Sequence, residues 1–187
     1  MTDHPQNASK IGSEGASHLA DPLGRLVVTD KRVVFPVLGL PLEIQTNSDA
    51  VIRSCMRTFG PWHDLDRSLV KRGSPLIARI IVHPGGEAND LPASFIYRLH
   101  ENRLLAAGSG VLSIANRNDD FALAFVTPEA VENDEWFYRN VLEGLSLFLV
   151  TRHDRIPVHA SVLVNGKKAM AFTGPSGSGK STLSYAM

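Results

Sequence analysis

The sequence predicts an α/β protein: an α+β N-terminal domain with an antiparallel meander, followed by the start of a second α/β unit. Three observations carry this. Short apolar runs of strand type recur between residues 26 and 126, separated by turn residues. A single amphipathic stretch over 128–150 is long enough to form a helix that covers a sheet. A hairpin pattern over 158–173 then runs directly into a glycine-rich turn and a helix-forming segment.

The first of these units opens behind a polar segment, residues 1–23, rich in Ser, Gly, His and Asp, which predicts a disordered tail. Apolar β-type runs follow at 26–28 and 33–40. Asn47, Ser48 and Asp49 offer N-cap chemistry to a helix stopping near Gly60 and Pro61. Residues 75–82 form the next strand. Residues 95–99 alternate, turn at Glu101 and Asn102, and return through Leu104 and Leu105. Strands at 111–114 and 121–126 flank the turn-rich Asn116, Arg117, Asn118, Asp119 and Asp120. Closely spaced strands with short turns predict an antiparallel meander.

Thr127, Pro128 and Glu129 combine a capping hydroxyl, a first-turn proline and an acid at the positive end of a helix dipole. Beyond them Phe137, Val141, Leu145 and Phe148 share one helical face, widened by Leu142 and Leu149. Glu129, Glu132, Asp134, Glu135 and Glu143 make the helix too acidic for a membrane-surface role. Pro157 confirms the break after Asp154 and Arg155, so a first domain spans 24–153 and a second unit 154–187.

Bulk properties narrow the function class. With 43% hydrophobic and 20% charged residues the chain has the balance of a globular protein with a core. Nineteen basic and nineteen acidic residues cancel, which argues against nucleic acid or an anionic membrane as a partner. Cys55 is the only cysteine, so no intrachain disulfide can form; its helical context predicts a buried structural thiol. No signal-peptide core and no run of membrane-spanning length is present, and a cytoplasmic location is expected.

The chemistry concentrates in residues 174–181. Gly174, Pro175, Ser176, Gly177, Ser178, Gly179, Lys180 and Ser181 match G-x-x-x-x-G-K-[ST] at every fixed position. Gly174 permits the reversal after a strand, while Gly177 and Gly179 let backbone wrap a phosphate with N–H groups turned inward. The helix that follows favours an anion at its start. Lys180 is expected to reach the β- and γ-phosphates, and Ser181 to ligate Mg²⁺. Thr182 supplies a second hydroxyl, for the site or for capping the helix. A flexible Gly/Ser loop is the rival reading, but the strand before the motif and the helix after it favour phosphate binding.

His159 lies just upstream and is either an ordinary strand histidine or a site residue. His63, His83, His100 and His153 have no metal-ligand spacing, and His63, Asp64 and Asp66 read as an exposed polar turn.

The order Val158-His159-Ala160-Ser161, then Asn165-Gly166, then residues 174–181 resembles the catalytic domain of the HPr kinase/phosphorylase family. It is similar as well to the HPr-kinase-like proteins of ribosomal peptide biosynthesis clusters. The resemblance covers about the last 30 residues. It implies a fold related to phosphoenolpyruvate carboxykinase and phosphoryl transfer from ATP, with Mg²⁺, to a hydroxyl on a peptide or protein acceptor. It also implies that His159 approaches the phosphates or the acceptor and that Lys180 serves catalysis. The family's bifunctional enzymes carry an acidic residue where Pro175 stands, so HPr itself is not carried over as the substrate. The chain ends seven residues after Lys180, before the acidic residue and acceptor-activating group that transfer needs. The expectation is a serine-kinase-like phosphotransferase in full-length form and no activity in these 187 residues alone. Two other readings stand beside it: a fragment of an ABC-type ATPase, and a non-catalytic peptide- or protein-binding module.

Overall fold

The computed structural model describes residues 27–63, 73–83, 95–108 and 110–186. It is an α/β structure with a seven-stranded mixed sheet in the order β1-β2-β3-β7-β6-β5-β4. The strands are β1 (Lys31–Val37), β2 (Leu40–Thr46), β3 (Leu76–Val82), β4 (Ile96–His100), β5 (Arg103–Gly108), β6 (Val111–Asn116) and β7 (Phe121–Val126). The predicted tail and the sequence around Asp64 and Asp66 lie outside the described residues. Residues 27–30 are not strand.

The run expected as one strand over 33–40 is a hairpin instead. Leu38 and Gly39 both have positive φ, 49° and 77°, which matches the twist of a two-residue turn. A leucine in the left-handed region costs about 1–2 kcal/mol, and no sequence rule places it there. The strand that returns, β2, was not expected.

Helix α1 (Asp49–His63) follows, running through Gly60 and Pro61 rather than stopping at them. Asn47 is not its cap. Its amide nitrogen donates to the Val82 carbonyl at 2.9 Å and its oxygen accepts from Val82 N–H at 2.9 Å, clipping β2 to β3. The β2-α1-β3 segment is thus a parallel crossover.

The meander holds only for β4–β7. Contrary to expectation β3 lies outside it, parallel to both β2 and β7. Its consecutive buried Ile80 and Ile81 fit a strand enclosed by two neighbours rather than an alternating meander strand.

Thr127 Oγ1 accepts from Ala130 N–H at 3.3 Å and caps the predicted second helix, with Pro128 in its first turn. The helix comes in pieces: α2 (Pro128–Glu132), α3 (Asp134–Phe137), a π-helical turn (Tyr138–Glu143), then α4 (Gly144–Val150). The wide turn forms where Asn140 Nδ2 donates to the Trp136 carbonyl and Tyr97 Oη donates to the Asn140 carbonyl. Phe137, Val141, Leu142, Leu145 and Leu149 are buried as expected, but the extra residue of the π turn puts Val150 in the core and leaves Phe148 half-buried.

These helices cover one face of the sheet, where Phe35, Leu42, Ile44, Leu76, Ile80 and Val126 form the core. Cys55 is fully buried there, as expected, and burial pushes its thiol up to about 12. Among the described residues no helix is long and apolar enough to cross a membrane.

A turn of 3₁₀ helix (Thr151–His153) ends at Asp154, whose φ of 58° reverses the chain. The segment is moored to the β6–β7 turn. His153 Nε2 lies 2.8 Å from Asp120 Oδ1, and Arg152 donates to the carbonyls of Arg117 and Asn118. Arg155 Nε then donates to the Leu38 carbonyl at 3.1 Å. Beyond it, β8 (Ala160–Asn165), β9 (Lys168–Thr173) and α5 (Lys180–Ala186) form a separate two-stranded sheet with one helix.

Candidate phosphate-binding site

Strand pairing sets the geometry of the site. β8 and β9 are antiparallel, with Asn165 opposite Lys168 and Ala160 opposite Thr173. The two turn residues are therefore Gly166 and Lys167, one position later than Asn165 and Gly166. Only Gly166 has a positive φ, 58°. A turn of that kind needs glycine in its first central place and leaves Asn165 in the strand. The register returns β9 to the start of β8, so residue 173 and the loop behind it lie beside residues 159–161.

The loop 174–179 leaves β9 and enters α5 with a Leu183 N–H bond to the Gly179 carbonyl at 2.9 Å. Gly177 and Gly179 have φ of 78° and 79°, a conformation L side chains rarely take. Inside the loop Ser178 N–H donates to the Pro175 carbonyl at 3.2 Å.

Lys180 folds back over this loop. Its Nζ donates to the Gly174 carbonyl at 3.0 Å and the Pro175 carbonyl at 2.8 Å. An ammonium held only by neutral carbonyls keeps its full charge for an anion.

An open cleft of about 390 Å³ is lined by His159, Ala160, Ser161, Ser176, Gly177, Gly179, Lys180, Ser181 and Thr182. This lies within the usual size of small-ligand sites. His159 precedes β8 rather than sitting in it, is exposed, and reaches the same cleft as the loop. Gly174, Pro175 and Ser178 do not line the cleft; the carbonyls of Gly174 and Pro175 hold Lys180, and Ser178 closes the loop onto Pro175. Ser161 was missed as a site residue. Its Oγ is 3.4 Å from Ser181 Oγ. The signal for it was present: two residues after His159 on an extended segment, it projects to the same side.

The cleft's donor set bears on a cation. It offers hydroxyls from Ser161, Ser176, Ser181 and Thr182, an imidazole and an ammonium, and its lining has no carboxylate. Among the described residues no group of three or more His, Cys, Asp and Glu could hold a metal ion. Such a set fits Mg²⁺ that arrives on phosphate oxygens and takes one hydroxyl ligand; it does not fit a cation held by protein alone.

His83, His100 and His153 are not brought to this cleft. No family model matches the chain, and no curated protein or solved structure matches it.

Proposed function

We propose that the chain binds ATP with Mg²⁺ through residues 174–182, as an HPr-kinase-like phosphotransferase whose full-length form passes the γ-phosphoryl to a hydroxyl of a peptide or protein. The observation that carries this reading is the shared cleft of His159 and the loop, with Lys180 held above it. In this reading Gly177 and Gly179 shape the backbone around the phosphates, and Lys180 exchanges its two carbonyl partners for phosphate oxygens. Ser181 supplies a hydroxyl to the cation. His159, on the opposite wall, orients the terminal phosphate or the incoming hydroxyl. Mg²⁺ neutralises charge on the β- and γ-oxygens when bound.

Isothermal titration of ATP in magnesium tests the proposal, using the chain and its Lys180→Ala variant. Removing a charge-assisted bond weakens binding by about 1.5–3 kcal/mol, or roughly 10- to 150-fold. No binding by the unaltered chain, or equal binding by both, overturns it.

The peptide- or protein-binding reading has one observation in its favour. On the face of β4–β7 turned away from the helices, Ile96, Leu105, Leu112 and Ile114 are 36%, 44%, 50% and 41% exposed. Neighbouring apolar side chains left open are a feature of interaction surfaces. Leu112→Asp with Ile114→Asp separates the two readings: loss of a bound partner with ATP affinity intact favours docking.

A further inference from the structure

We infer that Ser161 is a positioning residue for the cation-binding hydroxyl of Ser181, an inference that rests on the nucleotide reading above. A serine hydroxyl has one proton and two lone pairs. To ligate a cation through a lone pair, Ser181 must direct its proton elsewhere. The side-chain partner within bonding reach is Ser161 Oγ, 3.4 Å away on the facing strand.

The position of Ser161 makes it suited to this. It is half-buried in β8, opposite Phe172 of β9, and lines the same cleft as Ser181. The strand carries it independently of the loop, so it gives Ser181 a reference outside the segment that wraps the phosphate. At 3.4 Å the pair is in contact but longer than a formed hydroxyl bond of 2.5–3.0 Å. A small χ1 rotation of either serine closes the gap. Site bonds that are long in a free protein tighten when the ligand binds.

The two serines divide the work. Ser181 donates its O–H to Ser161 Oγ and turns its free lone pair toward the cation. With no carboxylate in the lining to attract Mg²⁺, the orientation of this one protein ligand sets how much magnesium adds to ATP affinity. Ser161 therefore acts on the magnesium-dependent part of binding and leaves direct contacts between the loop and the phosphates unchanged.

The test is ATP titration by calorimetry with excess Mg²⁺ and again with a chelator, on the 187-residue chain and its Ser161→Ala and Ser161→Thr variants. Ser161→Ala is expected to weaken Mg·ATP binding about fivefold, one net hydrogen bond, and to leave affinity in chelator unchanged. Ser161→Thr keeps the hydroxyl and stays within about twofold of the unaltered chain. Far-ultraviolet circular dichroism checks that both variants fold. Equal Mg·ATP affinity in Ser161→Ala overturns the inference and leaves the nucleotide reading standing. Equal losses with and without magnesium overturn it too, because they mean a packing role. If the unaltered chain binds no ATP, the nucleotide reading falls and this inference with it.

Discussion

Replacing Gly179 by alanine separates the two ways a glycine can serve a phosphate loop. A Cβ built at Gly179 meets no protein atom within 4 Å, so no clash arises within the chain. What remains is the backbone: Gly179 has φ of 79°. Holding an L-residue in the left-handed region costs about 1–2 kcal/mol. In the free protein the loop can relax, because it is exposed and belongs to the two-stranded unit rather than the seven-stranded sheet. In the complex it cannot relax, so the cost falls on affinity, as an increase in Kd for ATP of roughly 5- to 30-fold. Gly60→Ala is the matched control. It too meets nothing within 4 Å, but its φ is ordinary and it sits within α1. There alanine stabilises by about 0.4–1 kcal/mol and leaves ATP affinity alone. Urea denaturation and ATP titration on both variants give the two readouts. Gly179→Ala binding ATP within twofold of the parent refutes the reasoning, because the loop would then bind phosphate in a conformation open to any residue.

Three further outcomes follow from other parts of the molecule. Gly110→Ala is expected to destabilise by roughly 2–4 kcal/mol, from a left-handed φ and loss of a helix cap. The new Cβ would lie 2.5 Å from Thr127 Oγ1, the hydroxyl that caps α2, and a lowered urea midpoint measures the effect. Cys55, with its thiol pushed up to about 12, should react with Ellman's reagent in the native chain on the order of 10³-fold more slowly than in urea. The Arg57 guanidinium, 2.6 Å from Asp134, holds that carboxyl below its ordinary value. Its stabilisation is therefore full above the unfolded pKa and is lost as pH falls through the folded one. Between pH 5 and 2.5 the parent should lose more stability than Arg57→Ala, and equal losses in denaturant titrations contradict the assignment.

Local chemistry was legible in the sequence and long-range pairing was not. The cap at Thr127 and the buried helix face from Phe137 to Leu145 involve residues within a few turns of one another, and periodicity reports them directly. The left-handed pair at Leu38 and Gly39 is different. Leucine gives no turn signal, so the hairpin was hidden inside the apolar run 33–40, and β2 beyond it was not read as a strand. The parallel placement of β3 between β2 and β7 is clipped by Asn47 clasping Val82 across 35 positions, a bond whose only mark in the sequence was an asparagine that looked like a cap. The π turn likewise depends on Tyr97 reaching Asn140 from another strand.

The candidate site lies between these cases. Residues 174–181 follow one another, so their motif is local, and Gly177 and Gly179 take the positive φ that glycine permits. The cleft is not local, because its second wall comes from residues 159–161 and exists only once the hairpin closes. The turn at Gly166 and Lys167 is the hinge of that argument. Had the two turn residues been Asn165 and Gly166, Val164 would pair with Lys167 and each β8 residue would meet a β9 partner two positions earlier, Ser161 opposite Met170 instead of Phe172. A shift of two keeps each side chain on its face but moves it about 7 Å along the pair. Thr173 would then lie opposite Val158, and the loop behind it would start beyond the reach that now brings Ser181 to Ser161, 20 positions away. A glycine at the tip of the hairpin thus has a consequence at its base: its permitted backbone sets which strand residues share a cleft with the glycine-rich loop.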